Sequence, residues 1–350
     1  MALLQIPNIR LVAVTSCVPK QVKRTSEYDL ISANEQELFV KTTGIKERRM
    51  AAAGVTCSDL CFDAAEAIFK KYDCKNEIDV VLFVSQSPDY YLPATSIILQ
   101  DKLKLKKDCL AFDINLGCSG YVYGLSVAAN LLQSGQLKKA LLLIGDKSTF
   151  STNYADKSTY PLFGDVGTAT LLEFDKNASP SYFNLQSDGS GKNAIIIEDG
   201  QCRNPYGPES EKLVEIEPGI SRRRKDLVLN GTDIFNFALR EVAPNINALM
   251  EFSGIKKESI DHFVMHQANK LMNETVRKKL KVEAEKTPYS IDVFGNTSSG
   301  SIPLTMCYSL KEELKSKPLT LLLCGFGVGY SWGSAILKTE NVFTDLIEHD

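Results

Sequence analysis

Seven short, almost unbroken apolar runs punctuate the chain: Val80–Val84, Leu110–Ile114, Ala140–Ile144, Ala169–Leu172, His262–Met265, Leu319–Leu323 and Ala335–Leu337. Their brevity and their richness in Val, Leu and Ile predict strands covered on both faces. Helical spacing of apolar residues recurs between many of them, at Ser58–Lys71, Ser96–Leu103, Tyr121–Ser134, Ile234–Phe252 and Asn269–Leu280. Buried strands alternating with helices predict an α/β layered fold. Gly135 stops one of these helices just before the strand Ala140–Ile144. From Lys176 to Asp226 the rhythm breaks. That stretch is rich in Asp, Gly, Ser, Asn, Pro and charge, and its strand signals are weaker. A boundary near 175 follows, with halves 1–175 and 176–350. No clear sequence repeat connects them, and there is no low-complexity tract.

Composition narrows the class. The chain has 350 residues, 44% apolar and 24% charged, with a formal net charge of −3. These are ordinary globular values with ample material for a core. A balance so near neutrality does not suit a broad basic surface for nucleic acid. Gly is 22 and Pro 13, too few for a disordered or collagen-like chain. Arg10 interrupts the short apolar runs of the amino terminus, so no secretory signal is read there. Nowhere do about 20 apolar residues follow one another, so no membrane span is expected. Nine cysteines lie scattered at 17, 57, 61, 74, 109, 118, 202, 307 and 324, without a Cys-x-x-Cys pair, and there are three His in all. A Cys/His zinc site is therefore not expected. Scattered thiols inside apolar runs suit a reducing cytoplasm. The densest basic cluster, Ser221–Lys225, reads first as a solvated surface.

Four segments hold candidate chemistry. In Asp113–Gly120 a buried strand ends and an almost wholly apolar helix begins at Tyr121, which puts Cys118 at a helix amino terminus. Unpaired N–H groups and the helix dipole there favour a thiolate and lower a thiol pKa. Gly117 and Gly120 would let a substrate or another segment come close. Read alone, Cys118 fits an inert buried thiol at least as well. His266, at the end of Phe263–Met265 and the start of His266-Gln-Ala-Asn269, fits either a core histidine or a hydrogen-bond donor and acid/base group. Asn296, in the polar turn Phe294–Pro303, fits a helix cap or local backbone partner. A helix should begin near Pro303. Gly325–Gly329 lacks both the P-loop ending and a following helix, so it reads as a tight hairpin between strands.

Taken together and in order, these segments resemble the β-ketoacyl-acyl carrier protein synthase III family of the thiolase superfamily. The resemblance spans essentially the whole chain: Thr43–Arg48, Pro93-Ala-Thr, Asp113–Gly120, Phe163–Asp165 with Gly167, His266–Asn269, Gly295–Pro303 and Phe326–Gly333. It implies a duplicated five-layered αβαβα fold, a homodimer, and the triad Cys118, His266 and Asn296. In such enzymes the Cys takes an acyl group from a thioester. A carrier-bound malonyl group then loses carbon dioxide and condenses with it. His266 and Asn296 would stabilise the enolate, and the backbone N–H groups of Cys118 and Val328 the second oxyanion. Lys157, Asn269, Gly231, Thr232, Phe235, Tyr91 and Leu92 are the substrate-binding residues it implies. Tyr90 lies in the same segment as the last two. Lys270, Arg277, Lys278 and Lys279 would meet the acidic acyl carrier protein, with Arg222–Lys225 a weaker second surface. Acyl-coenzyme A or acyl carrier thioesters serve as substrates, and no metal or redox cofactor is implied.

Some positions depart from the family pattern. A Trp and an Arg that hold the coenzyme A adenine read Leu38 and Thr42 here, and a further Arg reads Lys157. Stacking is lost at the first and the planar fork at the last. A donor on acyl carrier protein becomes the favoured expectation. A loop Gly reads Val328. Cys324 lies on the apolar side of its loop and reads as core packing rather than a second catalytic thiol. Two other functions share the motifs: an acyltransferase passing the acyl group to a non-malonyl acceptor, and a non-catalytic partner subunit.

Overall fold

The computed structural model describes residues 2–349. Its strands show why the apolar runs lack polar alternation. All of Val80–Val84 is buried, with Val80, Leu82 and Val84 in one core cluster and Val81 and Phe83 in another. Lys139–Asp146 divides the same way, Ala140, Leu142 and Ile144 against Leu141 and Leu143. In Leu319–Gly327 the split is Leu319, Leu321 and Leu323 against Leu322, Cys324 and Phe326. A strand with two dry faces is apolar throughout, because successive side chains point to opposite cores.

The strands form two main sheets. The first runs Phe343–His349, Ile9–Pro19, Val166–Phe174, Lys139–Asp146, Val80–Val84, Leu110–Ile114. The second runs Ala2–Ile6, Ser181–Ser187, Ser331–Thr339, Leu319–Gly327, His262–Met265. One core cluster takes side chains from both sheets and from the helices Gly120–Leu132 and Ser301–Ser309, among them Tyr121, Leu125, Ile302 and Met306. Those two helices are the middle layer. Cys57–Lys71 and Thr95–Lys102 cover the outer face of the first sheet through Leu60, Ile68 and Leu99. Gly231–Ser253 and Lys270–Leu280 cover the second through Phe237, Ile246, Met272 and Val276. The result is the duplicated αβαβα arrangement.

The repetition is geometric. The parallel pair Val80–Val84 with Lys139–Asp146 matches His262–Met265 with Leu319–Gly327. The antiparallel pair Lys139–Asp146 with Val166–Phe174 matches Leu319–Gly327 with Ser331–Thr339. The ends of the chain cross over. Ala2–Ile6 pairs with Ser181–Ser187 in the second sheet, and Phe343–His349 pairs in parallel with Ile9–Pro19 in the first.

Several elements escape apolar-run reading. Ile9–Pro19 is an 11-residue strand, buried except at Arg10, which pairs across the ladder with Glu173. Its buried Thr15 spends its hydroxyl on the Ala64 carbonyl at 2.6 Å. Within 176–226 lie the strand Ser181–Ser187 and the small hairpin Val214–Glu217 with Ile220–Arg222. The helix expected near Pro303 starts earlier, at Ser301, because the 3₁₀ turn Ser298–Gly300 leads straight into it. Among the described residues no helix is long and apolar enough to cross a membrane.

Candidate active site

Cys118 follows the edge strand Leu110–Ile114 and precedes the central helix Gly120–Leu132. Glycines allow its surroundings to close in. A Cβ at Gly327 would stand 2.7 Å from both Cβ and Sγ of Cys118, and one at Gly325 would stand 2.8 Å from the Cys118 carbonyl oxygen. A Cβ at Gly117 would collide with Gln86 Oε1. The hairpin of the second sheet therefore lies directly on the turn that carries the thiol, and Cys118 is buried.

His266 extends its strand by one residue, its N–H donating to Cys324 O at 2.8 Å. Nδ1 is 2.7 Å from Ser301 Oγ, on the second middle-layer helix. Asn296 is fixed by its backbone: its N–H donates to Leu162 O at 2.9 Å and its carbonyl accepts Gly164 N–H at 3.0 Å. Asn296 Oδ1 accepts Ser298 N–H at 2.9 Å, which leaves the amide NH2 for the cavity. Cys118, His266 and Asn296 line one cavity, with Val328 at its rim and an apolar wall that includes Ile195, Ile197, Leu227, Leu229 and Met272.

Burial dominates the electrostatics. It pushes the Cys118 thiol up to about 11, against the opposing pull of the Val328 N–H and the Ser298 hydroxyl. The sequence led us to expect a thiol lowered by the helix amino terminus. Burial thus works against the lowering that those dipoles supply. Burial also takes His266 down to about 3, so it is a neutral imidazole. Cys324 is fully buried in the outer core of the second sheet and does not line the cavity.

Other expected residues divide. Gly231 and Asn269 line the cavity. Asn269 also caps its helix, Oδ1 accepting Met272 N–H at 2.8 Å. Thr232 is exposed, and Phe235 packs on the outer core of the second sheet. Neither lines the cavity, because the helix that begins at Gly231 turns them away from it. Lys157 is held outside by Glu35, Nζ to Oε1 at 3.1 Å. Tyr90, Tyr91 and Leu92 are 63%, 65% and 79% exposed and do not line the cavity. Lys270 and Lys278 are exposed. Arg277 is committed to Glu274 at 2.7 Å and to Val282 O at 2.6 Å, and Lys279 to Leu239 O at 2.7 Å. The cluster 222–225 is neutralised in place: Arg222 by Asp156, Arg224 by Asp199, and Arg223 and Lys225 by Glu211. Sequence reasoning missed Asp146, Ser298 and Ser301. Only Asp146 left a trace, as an acid closing an otherwise apolar strand.

Comparison with known proteins agrees with this fold. The family model described as 3-oxoacyl-[acyl-carrier-protein (ACP)] synthase III matches residues 112–189, and that of its C terminal matches 250–339. The β-ketoacyl-[acyl-carrier-protein] synthase III of Aliarcobacter butzleri is 32% identical over 330 residues, covering 93% of this chain and 96% of the relative. The crystal structure of a 3-oxoacyl-(acyl-carrier protein) synthase from Burkholderia xenovorans superposes with a TM-score of 0.93 at 38% identity, covering 99% of each chain. The β-ketoacyl-[acyl carrier protein] synthase III of Thermus thermophilus gives 0.82 at 29% identity, covering 95% of this chain and 99% of that one. With this identity over nearly its full length, the chain belongs to the β-ketoacyl-[acyl-carrier-protein] synthase III family of condensing enzymes.

Proposed function

We propose that the chain condenses an acyl group with malonyl-acyl carrier protein, using Cys118 as nucleophile and His266 and Asn296 as oxyanion donors. The observation that carries this is the meeting of a buried thiol, a neutral imidazole and a free amide NH2 on one apolar cavity. Cys118 sulfur attacks the donor thioester, the carrier thiol leaves with the cysteine proton, and an acyl-cysteine remains. Backbone N–H groups of Cys118 and Val328 would hold the tetrahedral oxyanion. Malonyl thioester next breaks its bond to the carboxylate and releases carbon dioxide. The enolate carbon bonds to the acyl carbon, and Cys118 departs as a thiolate that takes a proton from solvent. No electrons enter or leave, so these steps call for no redox cofactor.

The enolate needs neutral donors. Ser301 Oγ accepts Gln267 N–H at 3.3 Å, which frees its own hydrogen for His266 Nδ1. Nε2 then keeps its hydrogen, beside the Ser298 backbone, and is the donor we assign to the enolate. Asn296 Nδ2 supplies the second bond.

The donor we infer is acyl carrier protein, not coenzyme A. Leu38 is 63% exposed where stacking would be needed, and Lys157 is occupied by Glu35. Exposed Lys270 and Lys278 are the docking cations of this reading. The active unit we infer is a homodimer formed along the edge strand Leu110–Ile114, with the chain divided at 175/176 into its two thiolase-like halves. Intact-protein mass spectrometry with panels of acyl-carrier protein and acyl-coenzyme A tests the reading. We expect an adduct on Cys118 from carrier donors, none in Cys118→Ala, and carbon dioxide release from malonyl carrier. No adduct from any donor overturns the enzyme reading. Adducts from coenzyme A donors alone overturn the carrier assignment.

A further inference from the structure

Three side chains meet on the outer face of the first sheet, and none of them lines the cavity: Cys17 from the strand Ile9–Pro19, Asp63 from the helix Cys57–Lys71 and His349 from the strand Phe343–His349. A thiol sulfur, a carboxylate oxygen and a ring nitrogen there lie within 4.8 Å of one another. Asp63 Oδ2 is the shared neighbour, 2.6 Å from His349 Nδ1 and 4.0 Å from Cys17 Sγ. Among the described residues, no other three His, Cys, Asp or Glu ligand atoms gather in this way. Asp63 is 46 residues from Cys17 and 286 from His349, so no spacing motif in the sequence announces the group.

The backbone under each ligand is anchored. Thr15, two residues before Cys17 and on the same face of its strand, donates to the carbonyl of Ala64, the neighbour of Asp63, at 2.6 Å. Gly167 is the ladder partner of Cys17, and a Cβ there would stand 2.3 Å from Cys61 N, so the helix is seated hard on the sheet at this point. His349 stands opposite Pro19 in the parallel register. Arg49 clamps that end of the pair, donating to Pro19 O at 3.1 Å and to Glu348 Oε1 at 2.7 Å. Ligands held on rigid elements are preorganised for a cation.

The donor set selects the metal. Thiolate, imidazole and carboxylate together suit Zn2+ and its transition-metal neighbours, whereas Mg2+ and Ca2+ take oxygen ligands. A thiolate and a carboxylate carry two negative charges, which neutralise a dication where Cys17 is fully buried. Around a tetrahedral ion the sulfur–oxygen pair would close by about 0.5 Å and the nitrogen–oxygen pair open by about 0.7 Å. Asp63 and His349 are partly exposed, which leaves them room to turn and gives an ion and a water a way in. As the metal enters, Cys17 gives its thiol proton to solvent, and His349 presents a bare Nδ1, its hydrogen moving to Nε2.

We propose that Cys17, Asp63 and His349 form a three-ligand site for a divalent transition metal of the zinc class, with water as the fourth ligand, and that the bound ion staples the strand Phe343–His349 to the first sheet and its covering helix. The site is separate from the cavity that holds Cys118, and it does not depend on the proposed condensation.

The test is titration of the full chain, under reducing conditions, with Co2+ as a coloured stand-in for Zn2+. We expect a saturable near-ultraviolet band from sulfur bound to cobalt, at one ion per chain, which Zn2+ then removes. No such band in the unaltered protein overturns the proposal whether or not any variant folds. His349→Ala, at the partly exposed end of its strand, should weaken binding by more than the roughly 10- to 100-fold cost of losing a group that merely orients a ligand. Cys17→Ser should abolish the sulfur band, and Cys118→Ala should leave it unchanged. A band that survives His349→Ala or Cys17→Ser at full affinity, or that disappears in Cys118→Ala, places the metal elsewhere and overturns the assignment. Zn2+ should also slow hydrogen exchange along Phe343–His349 in the unaltered protein and not in His349→Ala. Exchange that Zn2+ leaves unmoved overturns the stapling role.

Discussion

At the scale of single residues, the proposed reaction asks each group for one charge state. As an enolate donor His266 would serve only in its neutral form, with its tautomer set by one hydroxyl, that of Ser301. Ser301→Ala should slow decarboxylation of malonyl carrier about tenfold, the worth of one hydrogen bond of about 1.4 kcal/mol. Acylation of Cys118 should continue at its former rate, since His266 takes no part in that step as written. Equal loss in both half-reactions would show that Ser301 merely supports the fold. Burial of His266 also links stability to acidity. Its value falls from 6.5 to about 3 on folding. Between those limits the unfolded chain binds one more proton there than the native chain. The contribution is complete above pH 6.5 and is lost as pH falls, at up to about 1.4 kcal/mol per pH unit. Urea unfolding at pH 7, 6 and 5 should show a shallower loss in His266→Gln than in the parent. Parallel slopes would mean that the histidine is not buried in its neutral form.

At the scale of elements, the strand Leu110–Ile114 carries the most consequence. It is the outermost strand of the first sheet, and Leu110 on it is 43% exposed. Leu110 N–H donates inward to Asp79 O at 2.8 Å, and Ile114 O accepts Ser85 N–H at 3.2 Å. Side alternation along a parallel strand then points the backbone groups of Ala111 and Asp113 outward. A half-buried apolar edge with free backbone groups invites pairing with a second copy. Ala111→Pro removes one outward donor and leaves the inward ladder intact. Sedimentation velocity should give a dimer for the parent and a monomer for the variant. A dimeric variant would move the interface elsewhere. The same strand leads to Cys118, so an interface formed there would share one support with the proposed nucleophile.

At the scale of the whole molecule, the two sheets are not separable. Both enclose the same central helices, Gly120–Leu132 and Ser301–Ser309, and each sheet borrows a strand from the opposite end of the chain. Unfolding one sheet would strip apolar cover from the other, at roughly 25 cal/mol per Å² exposed. The chain has one Trp, Trp332, buried in the second sheet. Its fluorescence should follow the same urea transition as far-ultraviolet circular dichroism, which reports on all layers. Two separated transitions would mean that the halves fold independently.

The sequence by itself determined the strands with two covered faces, because a dry face on each side writes itself into consecutive residues as an unbroken Val, Leu and Ile run. It placed Cys118 at a strand-to-helix turn and His266 at a strand end, since both positions depend on neighbours in the chain. It also carried enough ordered motif to reach the family. Ile9–Pro19 stayed hidden because its buried Thr15 is satisfied by a tertiary partner, and Arg10 by Glu173 across the ladder. Only the tertiary structure decided that Lys157, Thr232 and Phe235 stand outside the cavity. It alone revealed Asp146, Ser298 and Ser301 around Cys118, His266 and Asn296. It also set burial against the helix terminus at Cys118. A helix terminus is local and legible, whereas desolvation depends on which distant segments, here the hairpin at Gly325–Gly327, close over the sulfur.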